Sequence, residues 1–274
     1  MQFLLALALL PAVVLLIYIY RKDKLDREPM SLILKLLALG AVSCLPAAGL
    51  EYAVSWVITQ FGVRNSYFSA FLEAFAVAAL CEELLKFIFL RVMTWNNPDF
   101  DYQFDAIVYA VTVSLGFAAL ENVLYVLQSG FATGLLRAVT SVPGHAFFGV
   151  FMGYFYGFAK LAEPQGRVTE QREYLALSLL VPILLHGVYD FIAFAQEISD
   201  LWLIPFFGFV VLMYVLGLRR VNRSSADDRR IVTQRSRYAA PEAYPPAAPG
   251  TTLSGDLTGV YPPSDRSDGF GTGF

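Results

Sequence analysis

Apolar runs separated by short charged turns occupy residues 2–20, 32–58, 67–92, 106–127, 138–158, 175–195 and 201–218. Each comes near the ~20 residues that an α-helix needs to cross the hydrocarbon of a bilayer. The pattern predicts an all-α, polytopic membrane protein with about seven transmembrane helices. The run at 32–58 contains Gly40, Pro46 and Gly49 and is long enough to span with tilt or a kink. Beyond Arg219 the apolar pattern stops and Pro, Gly, Ser, Ala and Tyr dominate, a composition that cannot bury a core. The expected organisation is a transmembrane domain over 1–219 and a cytoplasmic, disordered tail over 220–274.

Composition agrees. Of 274 residues 57% are hydrophobic and 16% charged, against about 45 to 50% and ~25% in soluble domains. The net charge of -3 says less than the placement of the charges. No basic residue precedes the first run, and Arg21, Lys22, Lys24 and Arg27 follow it directly. That argues against a cleaved signal peptide, whose positive region comes first, and for an anchor whose start faces outward. Seven crossings then place the loops at 21–28, 93–102 and 160–172, and the tail, on the cytoplasmic side. Three of these four regions hold nearly all the loop lysine and arginine, whereas the opposite loops hold little beyond Arg64 and Arg137. The expected localisation is a plasma membrane, multi-pass, with the N-terminus outside and the C-terminus cytoplasmic. Tyr18, Tyr20, Tyr67, Trp95, Tyr174 and Trp202 fall at run ends, as interfacial aromatics do. Arg219, Arg220, Arg223, Arg229 and Arg230 at the start of the tail suit anionic lipid head groups. Cys44 and Cys81 are far apart and indicate neither a disulfide framework nor a thiolate metal site. No internal repeat and no Gly-rich phosphate loop is present, and nothing in the chain suggests nucleic-acid binding.

Ionisable residues inside the apolar runs change the picture. Glu82, Glu83 and Lys86 lie in the third, Glu121 in the fourth, His145 in the fifth, and His186 and Asp190 in the sixth. A charged side chain near the bilayer centre costs about 2.5 to 3.5 kcal/mol, so the five charged members would together cost on the order of 12 to 18 kcal/mol if unpaired. They are expected to face one another or water. Lys86 stands within helical reach of both glutamates, and His186 and Asp190 are four apart on one face, where a carboxylate can orient an imidazole. Glu82 and Glu83 point about 100° apart on a helix and so can hold different roles. Counted at ~1.5 Å per residue, the cluster lies near mid-membrane with a lean to the outer half. Glu73, alone and nearer the outer edge, reads as interfacial.

Carboxylates and imidazoles without a nucleophile suit two chemistries. A glutamate can act as general base on water that attacks a peptide carbonyl, with an imidazole stabilising the oxyanion. Alternatively a divalent metal, with His145, His186 and Glu121 as candidate ligands, can lower the pKa of its water. No H-E-x-x-H and no G-x-S-x-G occurs. A proton- or ion-coupled transporter uses the same buried groups and is the alternative class, although no paired halves with matched interrupted helices are present.

The ordered set Glu82-Glu83-x-x-Lys86, Phe117-x-x-x-Glu121, His145 and His186-x-x-x-Asp190 resembles the PrsW family of intramembrane proteases, related to the prenyl-protein endopeptidases and bacteriocin-immunity proteins. The likeness extends to Asp26-Arg27-Glu28-Pro29, to Phe104-Asp105-x-Ile107-Val108-Tyr109 and to Arg137-x5-Pro143-x-His145-Ala146, and covers about residues 15–195. Ala106 stands where the family usually shows glycine. The resemblance implies a bacterial plasma-membrane protease that clips a single-span membrane protein, typically an anti-sigma factor. It marks Glu82, Glu83 and His186 as essential and Glu121 and His145 as completing the site, while Asp190, by its spacing, is the residue expected to orient His186. It leaves a Zn2+ mechanism and a metal-free glutamate mechanism both open.

Overall fold

The computed structural model describes residues 2–62 and 65–231. Eight α-helices follow in order: α1 (Gln2–Lys22), α2 (Met30–Gln60), α3 (Ser66–Leu72), α4 (Leu80–Thr94), α5 (Asp105–Val139), α6 (Ser141–Ala162), α7 (Val168–Ala195) and α8 (Leu203–Ala226). A π-helical stretch, Glu73–Ala79, joins α3 to α4 without a loop. Among the described residues there is no strand, only an isolated bridge between Tyr102 and Arg230.

Helix α5 is the central post. Every residue from Asp105 to Ala118 is buried, the all-round burial expected of an inner helix with apolar residues on every side. Helices α1, α2 and α6 pack directly on it. Small residues let the backbones touch. A Cβ on Gly40 would collide with the Val113 carbonyl, and one on Gly116 with the Leu37 carbonyl, so α2 and α5 approach through reciprocal glycines. Gly153 does the same for α6 against Ala106 and Ile107.

The outside of the bundle is apolar. Leu10, Val14, Leu45, Trp56, Leu184, Ile204 and Val211 are all exposed, far more apolar surface than a soluble monomer presents. Among the described residues five stretches are long and apolar enough to cross a membrane: Leu4–Lys22, Met30–Gln60, Asp105–Gln165, Val168–Ala195 and Asp200–Ala226. The third contains both α5 and α6.

Two features depart from the sequence reading. Residues 128–137, expected as a loop, are helical except at Gly130, whose φ of 79° and ψ of -162°, a pair open in practice only to glycine, break the helix. The piece after Gly130 doubles back, so a Cβ on Gly134 would touch Val126 and Leu7. The expected boundary at residue 219 also moves. Helix α8 continues to Ala226, because charge interrupts the apolar run there without ending its buried face: Val221 is buried, and the Ser225 hydroxyl donates to the Lys22 carbonyl at 2.6 Å. Residues 228–231 then pack beside the start of α5. The Gln103 amide donates to the Arg229 carbonyl at 2.9 Å, the Ile231 amide donates to the Asp101 carbonyl at 2.6 Å, and the Ile231 side chain enters the core. Residues 220–231 are therefore part of the folded unit. The remainder of the expected disordered tail, 232–274, lies outside the described residues.

Candidate active site

The pair Glu82–Glu83 sits in the first turn of α4, directly after the π-helical stretch. A π turn holds one residue more than an α turn and is frequently found at functional sites. Phe75 on that stretch packs against Gly187 of α7, where any Cβ would strike its ring. This contact holds the Glu-bearing helix against the His186-bearing one. The helical spacing then does the local work: Lys86 Nζ donates to Glu82 Oε2 at 3.0 Å and to Glu83 Oε1 at 2.8 Å. Lys86 is wholly buried and lies 4.1 Å from the centre of the Phe117 ring, a cation–π contact that is stronger away from water.

Helix α6 brings His145 to the same point. Its Nδ1 lies 3.1 Å from Lys86 Nζ and its Nε2 lies 3.0 Å from Glu121 Oε2. An ammonium can only donate, so Nδ1 offers its lone pair and the ring proton is on Nε2, where Glu121 accepts it. Glu121 also accepts from the Arg137 guanidinium at 2.6 Å, and Arg137 Nε donates to Asn122 Oδ1 at 3.0 Å. Asn122 in turn donates to the Ala8 carbonyl at 2.9 Å, tying the clamp to α1.

Helix α7 supplies His186. Its Nε2 lies 3.2 Å from Asp190 Oδ2, and its Nδ1 lies 3.0 Å from Glu83 Oε1. Both ring nitrogens thus face carboxylates. A neutral ring has one N–H to give, so this alignment calls for one more positive charge, a proton or a metal ion, between the imidazole and a carboxylate. The ring stacks on Phe148 at 4.8 Å and meets the His145 ring edge-on at 5.3 Å.

One ligand atom from each of Glu82, Glu83, His145 and His186 lies within 4.8 Å of all the others, and all four side chains are buried. The set of two imidazoles and two carboxylates suits Zn2+. The surroundings fit as well. Each histidine presents Nε2 to an outer carboxylate, Glu121 or Asp190, and turns Nδ1 inward, the arrangement by which a second layer fixes the ligand nitrogen of a metal site. Glu83 Oε2 is buried without a hydrogen-bond partner. Lys86 Nζ makes the inward contacts for which an entering ion would compete.

A cavity of about 550 Å³ opens on this group, lined by Glu82, Glu121, Arg137, His145, His186 and Asp190, with Glu51 and Glu73 further out. Glu83 and Lys86 lie behind its wall. Six side chains expected from the sequence to meet, Glu82, Glu83, Glu121, His145, His186 and Asp190, do come together. Glu121, expected among the metal ligands, stands on the far side of the His145 ring from Glu82 and Glu83. Glu73, expected at the interface, lines the cavity and accepts from the Ser55 hydroxyl at 3.3 Å. Arg137, Asn122 and Glu51 are additions. Arg137 reads from the sequence as a loop residue, and Glu51 gave a signal, a lone carboxylate within an apolar run, that the sequence reading passes over. Cys44 and Cys81 are buried and free.

A helical membrane bundle that encloses a polar cavity, walled by one glutamate of a buried pair and by carboxylate-backed histidines, has the makings of a membrane-embedded hydrolase. Comparison with known proteins makes the class specific. Residues 28–217 match the family described as PrsW family intramembrane metalloprotease. The chain is 39% identical to Protease PrsW of Oceanobacillus iheyensis over 222 residues, covering 81% of this chain and 96% of the relative. It is 36% identical to Protease PrsW of Geobacillus kaustophilus, over 86% of this chain and 93% of the relative. With Protease PrsW of Bacillus subtilis it shares 36% identity, over 78% and 92%. No solved structure matches the chain. The chain belongs to the PrsW family; it is a bacterial membrane protein and an intramembrane protease.

Proposed function

We propose that this protease hydrolyses a peptide bond of a single-span membrane protein of the anti-sigma-factor kind, from a plasma membrane crossed seven times with the N-terminus outside. The seven crossings are α1, α2, the α3–π–α4 path, α5 up to Gly130, α6, α7 and α8. The observation that carries the chemistry is the meeting of Glu82, Glu83, His145 and His186 within 4.8 Å beside a cavity deep in an apolar bundle.

The roles follow from access. Glu82 reaches the cavity and Glu83 does not, so Glu82 is the general base: its carboxylate takes a proton from water as the water oxygen attacks the amide carbon, then returns it to the leaving amine. Glu83 is a positioning residue that anchors Lys86 and His186. Lys86 keeps the two carboxylates compatible with burial. Asp190 and Glu121 hold the rings of His186 and His145, and Arg137 presents guanidinium donors to the cavity, where a substrate carbonyl can take them. In the alternative, metal-loaded form Glu82, Glu83, His145 and His186 would instead be ligands that hold a Zn2+ ion, which would lower the pKa of water and polarise a carbonyl.

The test is cleavage of a co-expressed single-span substrate, read as a shortened band. Glu82→Gln, Glu83→Gln and His186→Ala are each expected to abolish it at unchanged protein level. Full activity in all three variants would overturn the proposal.

A further inference from the structure

The face of α6 that looks into the cavity carries one polar group outside the network of glutamates and histidines. Ser141, His145 and Phe148 line the cavity, four and three positions apart, as one side of a helix requires. Ser141 is 7% exposed. Its hydroxyl has no hydrogen-bond partner among the described residues, yet it is not sealed in the core as the unpartnered Ser114 hydroxyl is. A buried hydroxyl that is neither paired nor sealed has only the cavity to face. The neighbouring Thr140 hydroxyl is already taken, donating to the Leu136 carbonyl at 2.8 Å.

The backbone there favours the same kind of ligand. Helix α6 starts at Ser141 with no side chain capping it, so its first amides lack partners inside the helix. Pro143 has no amide proton to give, and the Gly144 amide donates to the Thr140 carbonyl at 2.9 Å. The positive end of the helix and the free hydroxyl therefore meet at one point of the cavity wall, where an oxygen acceptor is favoured. Arg137, four positions earlier, lines the same cavity.

Spacing selects the oxygen. Four residues of helix separate Ser141 from His145, about 6 Å along the axis. Carbonyls on one side of an extended peptide recur every second residue, about 6.6 Å apart. A peptide lying along α6 with its scissile carbonyl beside Glu82 and His145 therefore brings the carbonyl two residues away to Ser141.

We propose that the Ser141 hydroxyl, at the start of α6, donates to the substrate's backbone carbonyl two residues from the scissile bond and holds the peptide extended across the cavity. This contact rests on the proposed cutting of the peptide beside Glu82. It grips main chain of any sequence and strengthens binding without touching the reacting atoms.

The experiment uses the purified full chain in detergent and a fluorogenic peptide that the wild type cuts at one mapped bond. Two analogues replace, with a trans-alkene, the peptide bond whose carbonyl lies two residues before or two residues after the scissile one. Ser141→Ala is expected to keep its melting temperature and to raise KM for the parent peptide about three- to tenfold, with kcat within about twofold. One analogue is expected to show the same rise in KM with the wild type and no further rise with Ser141→Ala, the coupling that a direct contact produces. If Ser141→Ala fails to fold, Ser141→Gly takes its place in the comparison. An unchanged KM in the folded variant, or an equal rise for the parent and both analogues, would overturn the contact. Glu82→Gln keeps the two readings apart: cleavage of the parent peptide by that variant would count against the general base, whereas the Ser141 comparisons bear on the contact alone.

Discussion

Arg137 and Glu121 are sixteen positions apart on one helical element, yet their side chains meet at 2.6 Å. Along a straight helix that separation would be about 24 Å. The turn at Gly130 closes the gap, and it has open space around it, so only the backbone conformation demands glycine there. Gly130→Ala is expected to strain this turn by roughly 1 to 3 kcal/mol and to lower cleavage together with the Arg137–Glu121 contact. Arg137→Lys keeps the charge but not the planar fork. A loss of at least tenfold in the initial cleavage rate is the expected result, and unchanged rates in both variants would show that the clamp is idle.

The His186–Asp190 and His145–Glu121 pairs predict a graded loss. Asp190→Asn and Glu121→Gln leave all four inward groups intact, so each should weaken metal affinity or activity by about 10 to 100-fold rather than abolish it. Zinc content after dialysis against a graded chelator series, set beside cleavage, separates the two readouts.

Lys86 should behave as the keystone of folding as well as of the site. Lys86→Met leaves Glu82 and Glu83 buried beside each other without their ammonium, and loss of one partner of a buried ion pair costs about 3 to 5 kcal/mol. Thermal unfolding in detergent should fall steeply, and the double change Lys86→Met with Glu83→Gln should recover part of the loss.

Asp23 gives a pH dependence with a defined sign. Burial, and then repulsion from Asp228, raise its carboxyl from 3.8 to about 6, so between those values the folded state binds more protons than the unfolded state and stability falls as pH rises. Asp23→Asn should therefore melt above wild type at pH values above the folded pKa and match it below the unfolded one. Identical profiles for the two proteins would contradict this.

Gly116 tests the packing of the central post. Gly116→Val would drive a branched side chain into the Leu37 carbonyl of α2. Overpacking of this sort typically costs about 1 to 3 kcal/mol, and here the obstacle is backbone, which cannot rotate away. A fall in melting temperature with intact helical circular dichroism is the expected signature.

Much of the site was legible because its partners are local. Glu82, Glu83 and Lys86, and His186 with Asp190, stand at helical spacings, and charge inside an apolar run announces itself. Arg137 was hidden because its role depends on a chain reversal at one glycine inside what reads as the loop between two apolar runs, and nothing in that loop's composition says where its side chain returns. The assignment of Glu121 to the outer layer, rather than to the inward group, depends on which nitrogen of His145 it faces, and no spacing encodes that. The end of α8 was missed for the opposite reason: Arg219 and Arg220 break the apolar run while Val221 keeps the buried face, and Arg220 settles its guanidinium 3.9 Å from the Tyr154 ring.

The extra residue in the 73–79 stretch has a consequence for any shortening of the chain there. Removing one position would restore ordinary winding, and because six residues at about 100° each turn about as far as seven loosely wound ones, the flanking parts would keep their phase. Only positions inside the stretch would change facing, and Phe75, which packs on Gly187, is among them. The looseness of that winding therefore inserts one more side chain between the rim carboxylate Glu73 and the pair Glu82–Glu83 without turning either end away from the chamber.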